Sequence, residues 1–192
     1  MNVVEVYEPV VIGREAPQDP RIAHLIWWGA RFAELGFSPS YGPGDHGNLS
    51  FRTADGLVMT ARQTAKARLQ AGDFVEVLKA EGEEDAVKLR CRGPRLPSTD
   101  AWMHLRIYAA RPDIHAILHG HDPSTLAKAG ALHLPMTQRS ANASSRELVE
   151  EVVSLAGEND YLLLRDHGFI ALGPTIDEAG ELVRSLNARA RS

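Results

Sequence analysis

Two histidines one residue apart, in His119-Gly120-His121, are the first feature of this sequence able to do chemistry. In a strand the side-chain period is 2, so both rings leave the same face and can converge on one cation. Gly120 between them has no side chain and lets another backbone or a ligand come near. Taken alone, the pair reads better as two buried or surface histidines with no metal. His167, in Arg165-Asp166-His167-Gly168, shifts that balance. It falls at a strand-to-strand turn, and a turn at a sheet end can present a ligand side chain without crossing the core. His119, His121 and His167 together leave one position open on zinc or another divalent cation, the mark of a catalytic rather than a structural site. A closed thiolate site is excluded, because Cys91 is the single cysteine.

Asp100 adds a carboxylate in the first turn of a helix, where the helix dipole favours its charge. It stands as a fourth ligand, as a general acid/base, or as both by turns; the plainer reading is an ordinary N-terminal helix charge. Ser98 and Thr99 beside it sit at the same helix N-terminus, which favours an anion. Gly47-Asn48 lies in a Gly-rich loop that can approach a ligand closely. Arg62 lies just beyond a strand that the Asp55-Gly56 hairpin returns toward that loop. Singly, these residues read as caps and a solvated cation. Together they form one pocket for phosphate, sulfate or a small carboxylate, holding the far end of a substrate whose near end is on the metal. His46 precedes Gly47-Asn48 and can contact substrate, whereas His24, His104, His115 and His133 read as structural or solvated.

The elements that must position these residues follow from periodicity and punctuation. Asp19-Pro20 reads as an N-cap and first helical residue, with Ile22, Leu25, Ile26 and Ala30 on one stripe and Gly36 as the stop. Segment 38–47 is a loop; 49–52 and 57–60 alternate as a hairpin around Asp55-Gly56. Segments 74–78 and 86–91 pair as strands around the acidic turn 81–85. Ser98-Thr99-Asp100 opens a helix that ends before Pro112, 114–121 is a strand, and Asp122-Pro123 opens a short helix. Ser144-x-x-Glu147 and Thr175-x-x-Glu178 are capping boxes, and 161–165 and 169–172 are strands around Asp166-His167-Gly168. The pattern is α/β, a mixed sheet with helices on its faces.

The whole of 1–192 suits one domain, with 44% apolar and 24% charged residues. A net charge of −4 recruits neither nucleic acid nor a membrane. No segment reads as a signal peptide or a membrane span, and one cysteine fits a reducing cytosol, so a cytoplasmic protein acting on a small molecule is expected.

Four motifs in order, Gly47-Asn48-Leu49-Ser50-Phe51-Arg52, Leu96-Pro97-Ser98-Thr99-Asp100, Arg111-Pro112-Asp113 through His119-Gly120-His121, and Asp166-His167-Gly168, resemble the class II aldolase/adducin family. The resemblance implies a three-layer α/β/α sandwich around a mixed, largely antiparallel sheet, assembled as a homotetramer with sites at subunit boundaries. It implies zinc on His119, His121 and His167, with Asp100 as ligand and acid/base, and with Gly47, Asn48, Ser98 and Thr99 holding the substrate's phosphate or hydroxyls. Asp100 stands where the family usually has Glu, and Arg62-Gln63 where sugar-phosphate members usually have a Thr/Ser-Gly pair. A guanidinium at that place can bind phosphate or a carboxylate. The implied activity is a zinc-dependent aldehyde-lyase that makes or breaks a C–C bond in a small sugar phosphate or keto acid through a metal-stabilised enediolate. An epimerase or dehydratase on the same scaffold is the alternative, and a non-catalytic adducin-like interaction domain is the rival; adducin heads lack the histidine set.

Overall fold

A computed structural model describes residues 7–78, 87–140 and 145–192. Among these residues, nine strands form one sheet in the order β1-β5-β4-β3-β2-β6-β9-β8-β7. The strands are β1 Glu8–Gly13, β2 Asn48–Arg52, β3 Gly56–Thr60, β4 Phe74–Leu78, β5 Lys88–Arg92, β6 Ala116–Gly120, β7 Met136–Ser140, β8 Tyr161–Arg165 and β9 Gly168–Gly173. The two edge pairs, β1 with β5 and β7 with β8, are parallel; the other described pairs are antiparallel.

Alternation along the strands builds two cores. Leu57, Met59, Val75, Val77, Ile117, Leu162 and Ile170 point to one face, which is covered by α2 Ala101–Ala110 and α4 Arg146–Ala156. Leu49, Phe51, Val58, Leu118, Leu163, Phe169 and Ala171 point to the other face, under α1 Ile22–Glu34 and α5 Ile176–Arg191. The short α3 Pro123–Ala127 packs on α5. The fold is therefore the α/β/α sandwich around a largely antiparallel sheet that the resemblance implies. Among the described residues, no helix is long and apolar enough to cross a membrane.

Several boundaries differ from the sequence reading. Asp19 does not cap α1; its Oδ1 accepts the Arg21 N–H at 2.9 Å in a preceding turn, and the helix begins at Ile22. The stop at Gly36 holds: its φ of +80° lets Phe37 N–H return to Phe32 O at 2.8 Å. The α4 cap is Ser145, whose side chain accepts the Leu148 N–H; Ser144 and the 81–85 turn lie outside the described residues. Thr175 caps α5 through the Glu178 N–H, as its capping box predicts.

Candidate metal centre

The site grows from the centre of the sheet. Strand β6 runs between β2 and β9, so its C-terminal end is flanked by the start of β2 and the β8–β9 turn. His119 ends up buried opposite Asn48 and Ile170, and His121 follows one residue past the strand end, its N–H donating to Phe37 O at 2.8 Å. The backbones of Gly168 and Gly47 come close to Gly120, and aromatic rings fill the space on its Cα. A Cβ there would meet the Phe169 ring at 2.8 Å and Phe32 at 3.1 Å. His167 is presented by the β8–β9 turn, made tight by Asp166 at φ +58° and by His167 N–H donating to Leu164 O.

The three histidines offer one nitrogen each, all within 4.8 Å of one another. His119 Nδ1 lies 2.7 Å from Phe169 O and must donate to that carbonyl, which leaves Nε2 as the free lone pair. The Nε2 atoms of His119 and His167 are 3.3 Å apart. Two nitrogens at about 2.0–2.1 Å on a tetrahedral zinc would sit about 3.3–3.4 Å apart. His121 Nε2 is buried and has no hydrogen-bond partner. Burial, reinforced by the neighbouring imidazoles, pushes His121 down to about 2 and His167 down to about 4. Neutral rings, a fixed tautomer, matching spacing and an orphaned buried nitrogen all fit a divalent cation.

These residues line one cavity of about 390 Å³. The same walls carry His46, Gly47, Asn48, Arg62, Ser98, Thr99 and Asp100, so every site residue read from the sequence comes together. Asp100 is the N-cap residue of α2, yet its side chain caps nothing. Its Oδ2 instead accepts from Asn48 Nδ2 at 2.7 Å, and Asn48 Nδ2 also reaches Ser98 Oγ at 3.1 Å. The Asp100 carboxylate is not part of the three-nitrogen cluster. Gly47 has φ +82°, and a Cβ there would lie 2.6 Å from His119 O, so glycine is demanded twice over at this position. Arg62 Nε donates to Pro97 O at 2.6 Å and its Nη2 reaches Tyr7 Oη at 3.4 Å, tying the 96–98 segment to the N-terminal region.

The remaining histidines sort by burial. His115 and His24 are exposed, the latter 3.0 Å from Asp177. His104 is fully buried, its Nδ1 2.8 Å from Ser50 Oγ, which also meets Tyr108 Oη. His46 packs against His121 with ring centroids 4.7 Å apart, and Tyr41 packs on His46 at 4.8 Å. The sequence reading missed Tyr41 and Lys66, which also line the cavity. Neither belongs to a spaced motif, and a lone lysine in a polar turn looks solvated.

The chain is similar to several known proteins. A 5-methylthioribulose-1-phosphate/5-deoxyribulose-1-phosphate aldolase of Rhodospirillum rubrum is 33% identical over 154 residues, 72% of this chain and 66% of that protein. A methylthioribulose-1-phosphate dehydratase of Acidiphilium cryptum is 36% identical over 108 residues, 56% of this chain and 46% of that protein. The chain thus spans about half to two thirds of these relatives' lengths. The crystal structure of L-fuculose-1-phosphate aldolase from Thermus thermophilus superposes with a TM-score of 0.68 at 23% identity, over 88% of this chain and 90% of that one. The profile of the Class II Aldolase and Adducin N-terminal domain matches residues 25–192. With that match over most of the chain, and the histidine cluster at the end of its central strand, the protein belongs to the class II aldolase/adducin family.

Proposed function

We propose that this chain is a zinc-dependent lyase that cleaves or forms the C3–C4 bond of a small ketose 1-phosphate. The observation that carries this reading is the convergence of three histidine nitrogens beside Asp100 in one cavity. The names of the two relatives, both acting on a pentulose 1-phosphate, support the substrate class. His119, His121 and His167 would hold the ion. When bound there, a divalent cation supplies a Lewis acid for the substrate's carbonyl and adjacent hydroxyl, offsetting the charge that develops as the bond breaks.

The chain's own groups do the rest. Asp100 places a proton on C3 after cleavage and removes it in synthesis. Asn48 Nδ2 fixes the carboxylate in the cavity wall through Oδ2. Ser98, Thr99, Gly47 and Arg62 take the anionic end, although part of the Arg62 guanidinium also holds Pro97 O. The second reading is dehydration of the same substrate class, favoured by the similarity to the Acidiphilium protein.

The test is incubation of zinc-loaded protein with 5-deoxyribulose 1-phosphate and its methylthio analogue, with products identified by NMR. Cleavage yields dihydroxyacetone phosphate and an aldehyde, whereas dehydration keeps the carbon chain whole. Recovery of unchanged substrate in both cases would sink the lyase reading. Family membership further supports a homotetramer in the cytoplasm, with His167 and the 131–142 segment near a subunit boundary; the last two residues of that segment lie outside the described ones. Light scattering at micromolar concentration should give about four times the 21.0 kDa chain mass, and a monomer would refute the assembly.

A further inference from the structure

Helix α2 and strand β2 meet in two polar rungs. In the first, Asn48 Nδ2 donates to Asp100 Oδ2 at 2.7 Å. In the second, Ser50 Oγ lies 2.8 Å from His104 Nδ1 and 2.8 Å from Tyr108 Oη. Asn48 and Ser50 are two residues apart on the strand, and Asp100 and His104 are four apart at the start of the helix. Both spacings keep one face, so the rungs stack one above the other. Asn48 and Asp100 line the cavity; Ser50 and His104, both fully buried, lie behind its wall.

The order of protons along the second rung follows from burial. Burial holds the Tyr108 phenol well above its ordinary value, so it keeps its proton. That O–H needs an acceptor, and Ser50 Oγ is the one it meets. Ser50 Oγ then gives its own proton to His104 Nδ1. His104 is neutral: burial brings it down to about 4, with Asp100 opposing and His119 reinforcing the shift. A neutral imidazole that accepts at Nδ1 carries its proton on Nε2. His104 Nε2 is buried and has no hydrogen-bond partner among the described residues.

The first rung holds the complementary orphan. Asn48 Oδ1 is buried and also lacks a partner among the described residues. Turning the amide round cures nothing, because Oδ1 would then face the Asp100 carboxylate. One buried donor and one buried acceptor are thus left over on neighbouring rungs, and pairing them removes two desolvation costs at once. The charges that act on the His104 ring are those of Asp100 and of His119, which stands opposite Asn48 on β6. The ring therefore lies beside the first rung.

We propose that His104 is a positioning residue for Asp100: its Nε2–H and Asn48 Oδ1 are partners, directly or across one shared water, and keep the Asn48 amide turned with Nδ2 on the carboxylate. The chain Tyr108–Ser50–His104–Asn48 then fixes the direction of each hydrogen bond behind the proton carrier. Its consequence for turnover rests on the lyase reading of the site; the His104–Asn48 partnership does not.

Magic-angle-spinning NMR of sedimented, zinc-loaded protein labelled with [15N]histidine and [15N]asparagine tests the partnership without substrate. The His104 signals are those missing from His104→Gln. Wild type at pH 7 should show His104 protonated on Nε2, with a cross-peak from that proton to the Asn48 side-chain amide. A ring protonated on Nδ1, or no such cross-peak, would overturn the proposal. The kinetic arm compares His104→Gln with His104→Asn, since a Gln amide reaches the place of Nε2 and an Asn amide only that of Nδ1. His104→Asn should lower kcat by about ten-fold or more, the usual effect of losing an outer partner, with KM and zinc content unchanged. His104→Gln should keep most of kcat. A merely structural role predicts that kcat follows the melting temperatures of the two variants instead of the place of the donor. Equal kcat in the two folded variants would overturn the positioning role. Should His104→Asn not fold, a His104→Gln as slow as Asp100→Asn overturns it. If the cross-peak is present but zinc-loaded wild type turns over no ketose 1-phosphate, the reaction assignment fails and the partnership stands.

Discussion

Replacing His119 or His121 with alanine should strip the zinc and leave a folded chain. Each supplies one of only three converging nitrogens, so the loss should exceed the roughly 10–100-fold drop in affinity that follows removal of an outer partner. The two variants differ in an informative way. His119→Ala also breaks the donation from Nδ1 to Phe169 O, which should cost the metal-free protein about 1–3 kcal/mol. His121→Ala removes a buried nitrogen that has no partner, so the metal-free variant should melt at or above the wild-type temperature. Zinc at about 100 times its Kd should stabilise the wild type by about 2.7 kcal/mol and stabilise neither variant. Metal binding requires neutral imidazoles. Burial already keeps His121 near 2 and His167 near 4, so protonation of these two ligands should take no zinc from the wild type as the pH falls from 7.5 to 5.5. An exposed histidine site, titrating near 6.5, would weaken over that window. Elemental analysis decides the matter: no zinc on reconstituted wild type, or a full equivalent on either variant, would remove the histidine cluster from the account.

The histidine cluster was legible because strand periodicity is a strong constraint. A period of 2 puts His119 and His121 on one side whatever the strand order is, and the turn at His167 needs only to come near. What the sequence does not carry is the neighbour list. That Asn48 stands opposite His119, and so reaches Asp100, follows from β2 pairing with β6 across a separation of some seventy residues. No local pattern encodes such a pairing. Lys66 escaped for a related reason. Its burial comes from the short turn at 66–68 packing on α1 and from its bonds to Asp45, while its own neighbours, Ala65 and Ala67, say nothing about it.

The same logic separates the strands that were read from those that were missed. The central strands alternate or run apolar because both of their faces are covered. The edge strands β1 and β7 lack that signal. Pro9 interrupts β1, whose Val11 and Ile12 are exposed, and the sequence of β7, Met136-Thr137-Gln138-Arg139-Ser140, is mostly polar. An edge strand is recruited by its neighbour's free hydrogen-bonding row more than by its own side chains. Asp100 shows a local rule overridden by the site. An Asp at an N-cap ordinarily accepts from the helix's first N–H groups. Here the carboxylate accepts from Asn48 instead, and the cap is left unmade.

That diversion sets up the second large effect. Asp100→Asn should retain close to one zinc per chain while lowering kcat on the true substrate by about 10²–10⁴-fold, the usual contribution of a positioned general acid/base. Geometry should survive, because an asparagine carbonyl can still accept the Asn48 Nδ2 bond that now measures 2.7 Å. Metal content should survive, because the carboxylate is outside the three-nitrogen cluster. What is lost is the proton carrier, since an amide neither takes up nor releases a proton in the working pH range. The loss should appear in the half-reaction as well as in turnover. Zinc-loaded wild type should exchange a C3 hydrogen of dihydroxyacetone phosphate with D2O, and the variant should not. KM should change little, because the phosphate end is held elsewhere in the cavity. If the variant keeps the wild-type rate on a verified substrate, Asp100 has no part in proton transfer. If it loses zinc along with activity, the carboxylate is a ligand before it is a base. Unchanged exchange with lost cleavage would move the proton on C3 to another group and leave Asp100 acting on the departing aldehyde.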